Sequence, residues 1–462
     1  MNINFKEEAL KYKEDLLKDL FELLRVESYT GGEISKDAPF GKGPRAGLDK
    51  ILSFGQRDGY ITKNVGNVSG HIEVGEGQEI FGILGHVDVV PANPSEWVSK
   101  PFEPEIRDGK IFARGVLDDK GPTMAAYYAV KLLDDLGVDW KKRIRLIVGT
   151  DEEVGFRCVK RYFETEERPD LGFTPDAHYP VIYGEKAHAN FRYDLKFVKD
   201  ESFSDFKLLS LNSGLAKNMV PSEAIAKLSG DFAKLEEKLK SYSYDNYKVE
   251  DGQEITLIFY GKAAHGSTPE LGLNAATIMA EFLNALSLDV NGKNYVEHIA
   301  LNLANDPFGE KLGLKYSDNE MGTATFNYGI FKYDLEKQVA SIETDTRYPA
   351  KYDLVSKVNA LSFENFDIDL YANKGAHYVP KEDDLVQTLL SVYRKHTGDF
   401  ENDAMVIGGG TYARCMKKAV AFGVLLPGRE DTMHQANEYV FVEDLLLSVA
   451  IFAESIYGIC CE

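Results

Sequence analysis

The order of apolar and polar positions along the chain predicts alternating helices and strands at both ends, with a different texture between them. Residues 6 to 26 place Leu10, Leu16, Leu17, Leu20 and Leu24 near helical spacing, which predicts one amphipathic opening helix. Glu79-Ile-Phe-Gly-Ile-Leu-Gly-His-Val-Asp is a short apolar run ending in polar residues. It reads as a buried strand whose C-terminal end presents side chains. Helical spacing returns over Thr123 to Leu136, and Arg143-Ile-Arg-Leu-Ile-Val-Gly-Thr has strand character before Asp151, Glu152 and Glu153. This alternation predicts an open α/β sheet, where sites form beyond the carboxyl ends of strands.

From about Lys186 to about Tyr378 the pattern shifts to β-rich segments and charged helices, including Phe191-Arg-Tyr-Asp-Leu-Lys-Phe and Glu254-Ile-Thr-Leu-Ile-Phe-Tyr. The shift predicts an inserted α+β domain over 186–378, with the first domain occupying 1–185 and resuming over 379–462. After Pro380 a helical pattern through Leu389 and Tyr393 precedes Ala421-Phe-Gly-Val-Leu-Leu-Pro, another buried-strand candidate that leads to His434. A chain of 462 residues also exceeds what one hydrophobic core usually supports.

Composition narrows the classes of function. A hydrophobic fraction of 44% fits an ordinary globular protein, and no apolar run approaches the ~20 residues that span a bilayer. The first residues lack the basic start and apolar core of a secretory signal, so the cytoplasm is the expected location. A formal net charge of -21 gives phosphate backbones and anionic lipid no reason to approach, which excludes nucleic-acid and membrane partners. Cys158, Cys415, Cys460 and Cys461 form no zinc-ligand spacing and read as reduced thiols.

A few acids and histidines stand out from this acidic background. Hydrolysis by two metal ions needs nitrogen and oxygen ligands, a bridging group holding the ions ~3.5–4 Å apart, and a base for the attacking water. At the end of the first buried strand, His86 and Asp88 share a face, so the Asp88 carboxylate can orient an imidazole. The loop Gly115-Val-Leu-Asp118-Asp119-Lys120-Gly121-Pro122 offers two adjacent carboxylates, between which the residues alone do not choose; a solvated turn with an N-cap is the other reading. Asp151, Glu152 and Glu153 follow a buried strand, and three acids in a row at a sheet end require compensating cations. One of them can ligate while its neighbour acts as base.

His-Val-Asp-Val-Val-Pro at 86–91, Arg-Gly-Val-Leu-Asp-Asp-Lys-Gly-Pro at 114–122, Gly-Thr-Asp-Glu-Glu at 149–153 and Pro175-Asp176-Ala-His-Tyr-Pro occur in that order. They resemble the successive motifs of the co-catalytic metal exopeptidases that include acetylornithine deacetylase, succinyl-diaminopimelate desuccinylase and bacterial dipeptidases. Gly-Gly-Gly-Thr-Tyr-Ala-Arg at 408–414 and Pro-Gly-Arg-Glu-Asp-Thr-Met-His-Gln-Ala-Asn-Glu at 427–438 are similar to the PepV-type dipeptidases within that group. The resemblance runs nearly end to end. It implies a zinc-exopeptidase-like α/β catalytic domain, its mixed and mostly parallel sheet sandwiched by helices, plus the inserted lid domain.

Residue by residue, the resemblance implies a pair of divalent ions per chain, zinc first, with manganese and cobalt as alternatives that the same ligands accept. His86 and Asp176 are implied to hold one ion, Glu153 and His434 the other, with Asp118 rather than Asp119 bridging them. Glu152 becomes the general base and Asp88 stands behind the ligands. In the insertion, Gly261-Lys-Ala-Ala-His265-Gly-Ser-Thr-Pro269 resembles the lid motif, which makes His265 the donor to the oxyanion. Asn218 and Arg347 are implied to hold a substrate carboxylate, a task a guanidinium suits, with Gly409, Gly410 and Thr411 letting backbone approach the same end. An insertion of about 190 residues is similar to the enlarged PepV lid, which implies a monomer whose own His265 acts. The implied activity is hydrolysis of unblocked dipeptides. An N-acyl amino-acid deacylase or desuccinylase is one alternative. A non-catalytic metal-binding or peptide-binding protein is the other, against which Glu152 beside all five ligands argues.

Overall fold

A computed structural model describes residues 3–199 and 204–461. The chain forms two compact units, Met1–Glu185 with Tyr378–Glu462, and Lys186–His377.

The first unit is built on a mixed sheet. Its strands run in the order Ile61–Val65, Ser69–Val74, Arg143–Gly149, Ile80–His86, Leu171–Thr174, Ala419–Ala421 and Ile182–Glu185, and Met405–Ile407 joins the last of these. The central strands Arg143–Gly149, Ile80–His86, Leu171–Thr174 and Ala419–Ala421 are mutually parallel, whereas Ile61–Val65 and Ser69–Val74 add on antiparallel. Every residue of Ile80–His86 is buried, which is why this strand reads as an unbroken apolar run. The helices Lys120–Asp135 and Val442–Cys460 pack against each other within the same hydrophobic core, one burying Met124, Tyr127, Tyr128 and Leu132, the other Leu445, Val449, Phe452 and Ile456.

Two local expectations change. The single opening helix is split at Tyr12 into Phe5–Lys11 and Lys13–Leu24, because the Tyr12 N–H bonds back to the carbonyls of Ala9 and Leu10 as a cap. The candidate strand from Ala421 to Pro427 shrinks to Ala419–Ala421, while Phe422, Val424 and Leu425 stay buried outside the ladder. The other segments named from periodicity coincide with helices and strands, with Lys120–Asp135 starting three residues early and Asp384–Thr397 following Pro380.

The second unit carries an antiparallel sheet in the order Tyr247–Glu250, Ile255–Tyr260, Glu223–Gly230, Phe206–Ser213, Thr325–Asp334, Val339–Tyr348, Ala187–Leu195 and Phe366–Lys374. Helices Ala275–Asn284 and Val290–His298 pack on it. Ile255–Tyr260 alternates buried and half-buried positions, as a strand with one covered face must. Among the described residues no helix is long and apolar enough to cross a membrane, and all four cysteines are free thiols.

Candidate active site

Parallel pairing brings the chemistry together. His86 lies opposite Gly149 in register, so the loops after both strands leave the sheet side by side, one carrying Asp88 and the other Glu152 and Glu153. The next parallel strand, Leu171–Thr174, delivers Asp176 to the same edge. Gly85 is required by close packing here, since a Cβ would stand 2.1 Å from the Thr123 Oγ1 and 2.7 Å from the Asp119 Oδ2.

Two donor groups result, His86 with Asp118 and Asp176, and Asp118 with Glu153 and His434. The ligand atoms within each lie no more than 4.8 Å apart. Asp118 belongs to both. Its Oδ1 is 3.0 Å from the His86 Nε2 and its Oδ2 is 2.9 Å from the His434 Nε2. The Asp176 Oδ2 lies 3.4 Å from the His86 Nε2, and the Glu153 Oε2 lies 3.0 Å from the His434 Nε2. The His86 Nε2 and Asp118 Oδ1, both buried, are close yet not aligned for a hydrogen bond, which leaves both atoms available to a ligand. Nitrogen and carboxylate donors converging in this way fit divalent cations.

The supports of these donors are specific. The His86 Nδ1 donates to the Asp88 carbonyl oxygen at 2.9 Å, which leaves the Nε2 lone pair for a ligand. The Asp88 carboxylate stands 3.5 Å from the same ring and accepts from the Glu153 N–H at 3.2 Å, tying both loops. Asp119 turns the other way, its Oδ2 accepting from the His86 N–H at 2.9 Å and the Thr123 hydroxyl at 2.8 Å. His434 has φ +62, a left-handed conformation uncommon for residues other than glycine.

Charge accumulates beyond what the protein neutralises. Burial opposes charge on Asp118, but the imidazoles of His434 and His86 hold it well below the usual carboxylate range. Asp118 and Glu153 lift His434 to about 10, and His86 is likewise raised by Asp118, Asp176 and Asp88 against the effect of its burial. Burial, with Asp176, Asp118 and Glu153 close by, raises Glu152 well above an ordinary glutamate. Without cations the two imidazoles therefore take up protons in their place, and binding of a metal releases those protons.

Gly409, Gly410 and Thr411 form a loop of the first unit anchored to Glu185, whose Oε1 accepts from the Thr411 N–H at 3.0 Å and from its hydroxyl. The loop runs into Tyr412, whose ring meets the His86 imidazole edge-on at 6.1 Å. The second unit gathers Asn218, His265 and Arg347. The Gly266 N–H donates to the Asn218 carbonyl at 2.7 Å, and Asn218 and Arg347 line one cavity. The Ser267 N–H donates to the His265 Nδ1 at 3.2 Å, which places the ring proton on Nε2. Burial and the nearby Arg347 lower the His265 pKa, which favours the neutral ring.

Residues 82–457 match Peptidase family M20/M25/M40. The chain belongs to this family. It is a hydrolase acting on peptide bonds. A protein named "Putative dipeptidase" from Staphylococcus epidermidis is 42% identical over 472 residues, spanning 99% of this chain and 100% of the relative. A relative of the same kind from Staphylococcus haemolyticus is 41% identical over equal coverage. Among solved structures, an aminoacylhistidine dipeptidase from Vibrio alginolyticus matches with a TM-score of 0.57 at 12% identity, over 96% of each chain. A tripeptidase from Staphylococcus aureus matches with a TM-score of 0.55 at 16% identity, over 97% of this chain and 98% of that one. These likenesses give the peptidase its fold.

Two supporting carboxylates, one in each unit, escape sequence reasoning. Glu438 is fully buried and accepts from Arg114 and from the backbone of the Asp118 loop. Burial, with the Asp118 carboxylate nearby, pushes its carboxyl up to about 7, yet all four of its hydrogen-bond partners donate, so the carboxylate form is the one that fits. Asp345 grips Arg347 through Nε at 2.7 Å and Nη2 at 3.0 Å, and it also meets the His188 Nε2 at 2.9 Å. Only position hinted at either, Glu438 as the last residue of the 427–438 motif and Asp345 two residues before Arg347.

Proposed function

We propose that this peptidase is a two-metal dipeptidase that hydrolyses unblocked dipeptides. The observation that carries the reading is a single carboxylate, Asp118, common to two donor groups. The full-length relatives named as dipeptidases support the substrate class.

In this reading His86 and Asp176 hold one ion, Glu153 and His434 the other, and Asp118 joins them. When bound, the ions polarise the scissile carbonyl and acidify water. Zinc is proposed first, with manganese or cobalt able to occupy the same donors. Glu152 takes a proton from the attacking water as its oxygen bonds to the carbonyl carbon, then delivers that proton to the leaving amine as the C–N bond breaks. His265 donates its Nε2–H to the developing oxyanion. Arg347 and Asn218 fix the substrate's C-terminal carboxylate, and Gly409, Gly410 and Thr411 receive the same end through backbone. Asp176 and its neighbouring acids attract the free α-amino group. The enzyme is proposed to act as a cytoplasmic monomer without nucleic-acid or membrane partners.

The test strips the protein of metal, resupplies zinc, manganese or cobalt, and compares free dipeptides with N-acetyl and N-succinyl amino acids. Metal-dependent release of amino acids from free dipeptides alone supports the reading. Preference for blocked substrates makes the protein a deacylase, and absence of turnover with every metal removes the catalytic reading.

A further inference from the structure

We infer that Glu438 is a positioning residue that builds both ligand loops of the metal centre, an inference resting on the proposed roles of Asp118 and His434. Its carboxylate Oε2 accepts from the Arg114 Nη1 at 2.7 Å and the Gly115 N–H at 2.9 Å. Its Oε1 accepts from the Leu117 N–H at 2.8 Å and the Asp118 N–H at 3.1 Å. One side chain thus satisfies three backbone donors of the loop that presents the shared carboxylate. These bonds cross 320 to 324 residues of sequence, so they are made by the fold and not by local turn chemistry.

The placement of Glu438 is itself fixed. The strand Tyr439–Phe441 pairs antiparallel with Lys110–Phe112, and the Ala113 N–H donates to the Glu438 carbonyl at 3.2 Å. Four residues before it in sequence, His434 reaches the second donor group, and the Arg114 Nη2 approaches the His434 carbonyl at 3.4 Å. Arg114 and Glu438 therefore clasp the Asp118 loop to the His434 loop, with Arg114 3% and Glu438 0% exposed.

Buried charge of this kind is stabilising only when each lone pair is used. Here four donors meet four acceptor positions. The consequence is preorganisation. Asp118 and His434 approach a metal ion already set by bonds that do not involve the ion, which keeps the two loops from having to order on binding. Glu438→Gln preserves shape but turns an amide NH2 toward backbone N–H groups and leaves Arg114 without its counter-charge.

The experiment titrates the metal-stripped full chain with zinc by calorimetry for the natural protein, E438Q, R114K and D118N, with thermal unfolding of each metal-free protein alongside. E438Q is expected to bind zinc about 10–100-fold more weakly, R114K less so, and excess zinc should restore hydrolysis in both. A merely structural Glu438 would lower the unfolding temperature and leave the zinc affinity of the folded protein unchanged, which would overturn the inference. Should E438Q not fold, R114K carries the same decision: weaker binding supports it and unchanged binding overturns it. D118N separates the two levels, because zinc binding undiminished in D118N would instead defeat the metal reading itself.

Discussion

Glu152 shows most sharply why single side chains of this site make sense only with cations present. Burial and three neighbouring carboxylates raise it, and a protonated glutamate is no base; nearby positive ions reverse that balance. Glu152→Gln should therefore lower kcat by roughly 10²- to 10⁴-fold while KM and bound metal stay near those of the natural enzyme, measured by steady-state kinetics and metal analysis. A proportional loss of metal would show Glu152 to be a ligand instead. His265 carries a separate prediction. Its neutral ring with the proton on Nε2 suits donation to an oxyanion, so His265→Ala should reduce kcat by about 10²- to 10³-fold. Of the residue-level detail, the donor types and their order were legible along the chain. The residues alone left Asp118 and Asp119 open, and the bonds by which Asp119 turns to the His86 N–H and Thr123 carry no local signal. Glu438 closes the 427–438 motif, but its role left no local signal, since its partners lie far away in sequence.

At the scale of elements, the level ending of parallel strands positions His86, Glu153 and Asp176, and apolar runs made those strands readable in advance. Pairing partners are a long-range property, so the antiparallel additions at the sheet's edge and the shortness of Ala419–Ala421 left no local signal. Buried histidines outside the site give the elements a pH response. His71 on Ser69–Val74 is held to about 4 by burial, then by Arg145, and His298, stacked on Phe366 at 4.2 Å, is held to about 4 by burial. Between about 6.5 and 4 the unfolded chain binds protons that the folded chain refuses, so stability is full above the unfolded value and falls as pH drops. The loss per histidine is on the order of 3 kcal/mol. His298→Phe keeps the stacked ring and removes the titration, so its unfolding temperature should fall less between pH 7 and pH 4.5 than that of the natural protein. Parallel losses in the two proteins would show that His298 does not contribute.

For the whole molecule, a net charge of -21 sets the background against which the acidic centre must be stable. Cations that bind only the folded state stabilise it by about 2.7 kcal/mol for each site held at 100 times its Kd. Chelation should consequently lower the unfolding temperature by several degrees, taking roughly 2–4 °C per kcal/mol, and restored zinc should reverse the change. An unfolding temperature indifferent to chelator would mean that folding and metal binding are not linked. Two domains and their α/β and α+β textures were legible because the period of the apolar pattern changes along the chain. How the insertion's Asn218, His265 and Arg347 assemble was carried by motif resemblance alone, since loops hold no periodicity.

The most direct test of the central claim, that Asp118 unites two cation sites in one hydrolytic centre, follows cleavage of a free dipeptide while metal-stripped protein is titrated with zinc and bound ions are counted. Two ions per chain are expected, with full activity only when both are bound and loss of the paired stoichiometry in Asp118→Asn. Full activity with one ion per chain, or two ions retained in Asp118→Asn, would contradict that claim.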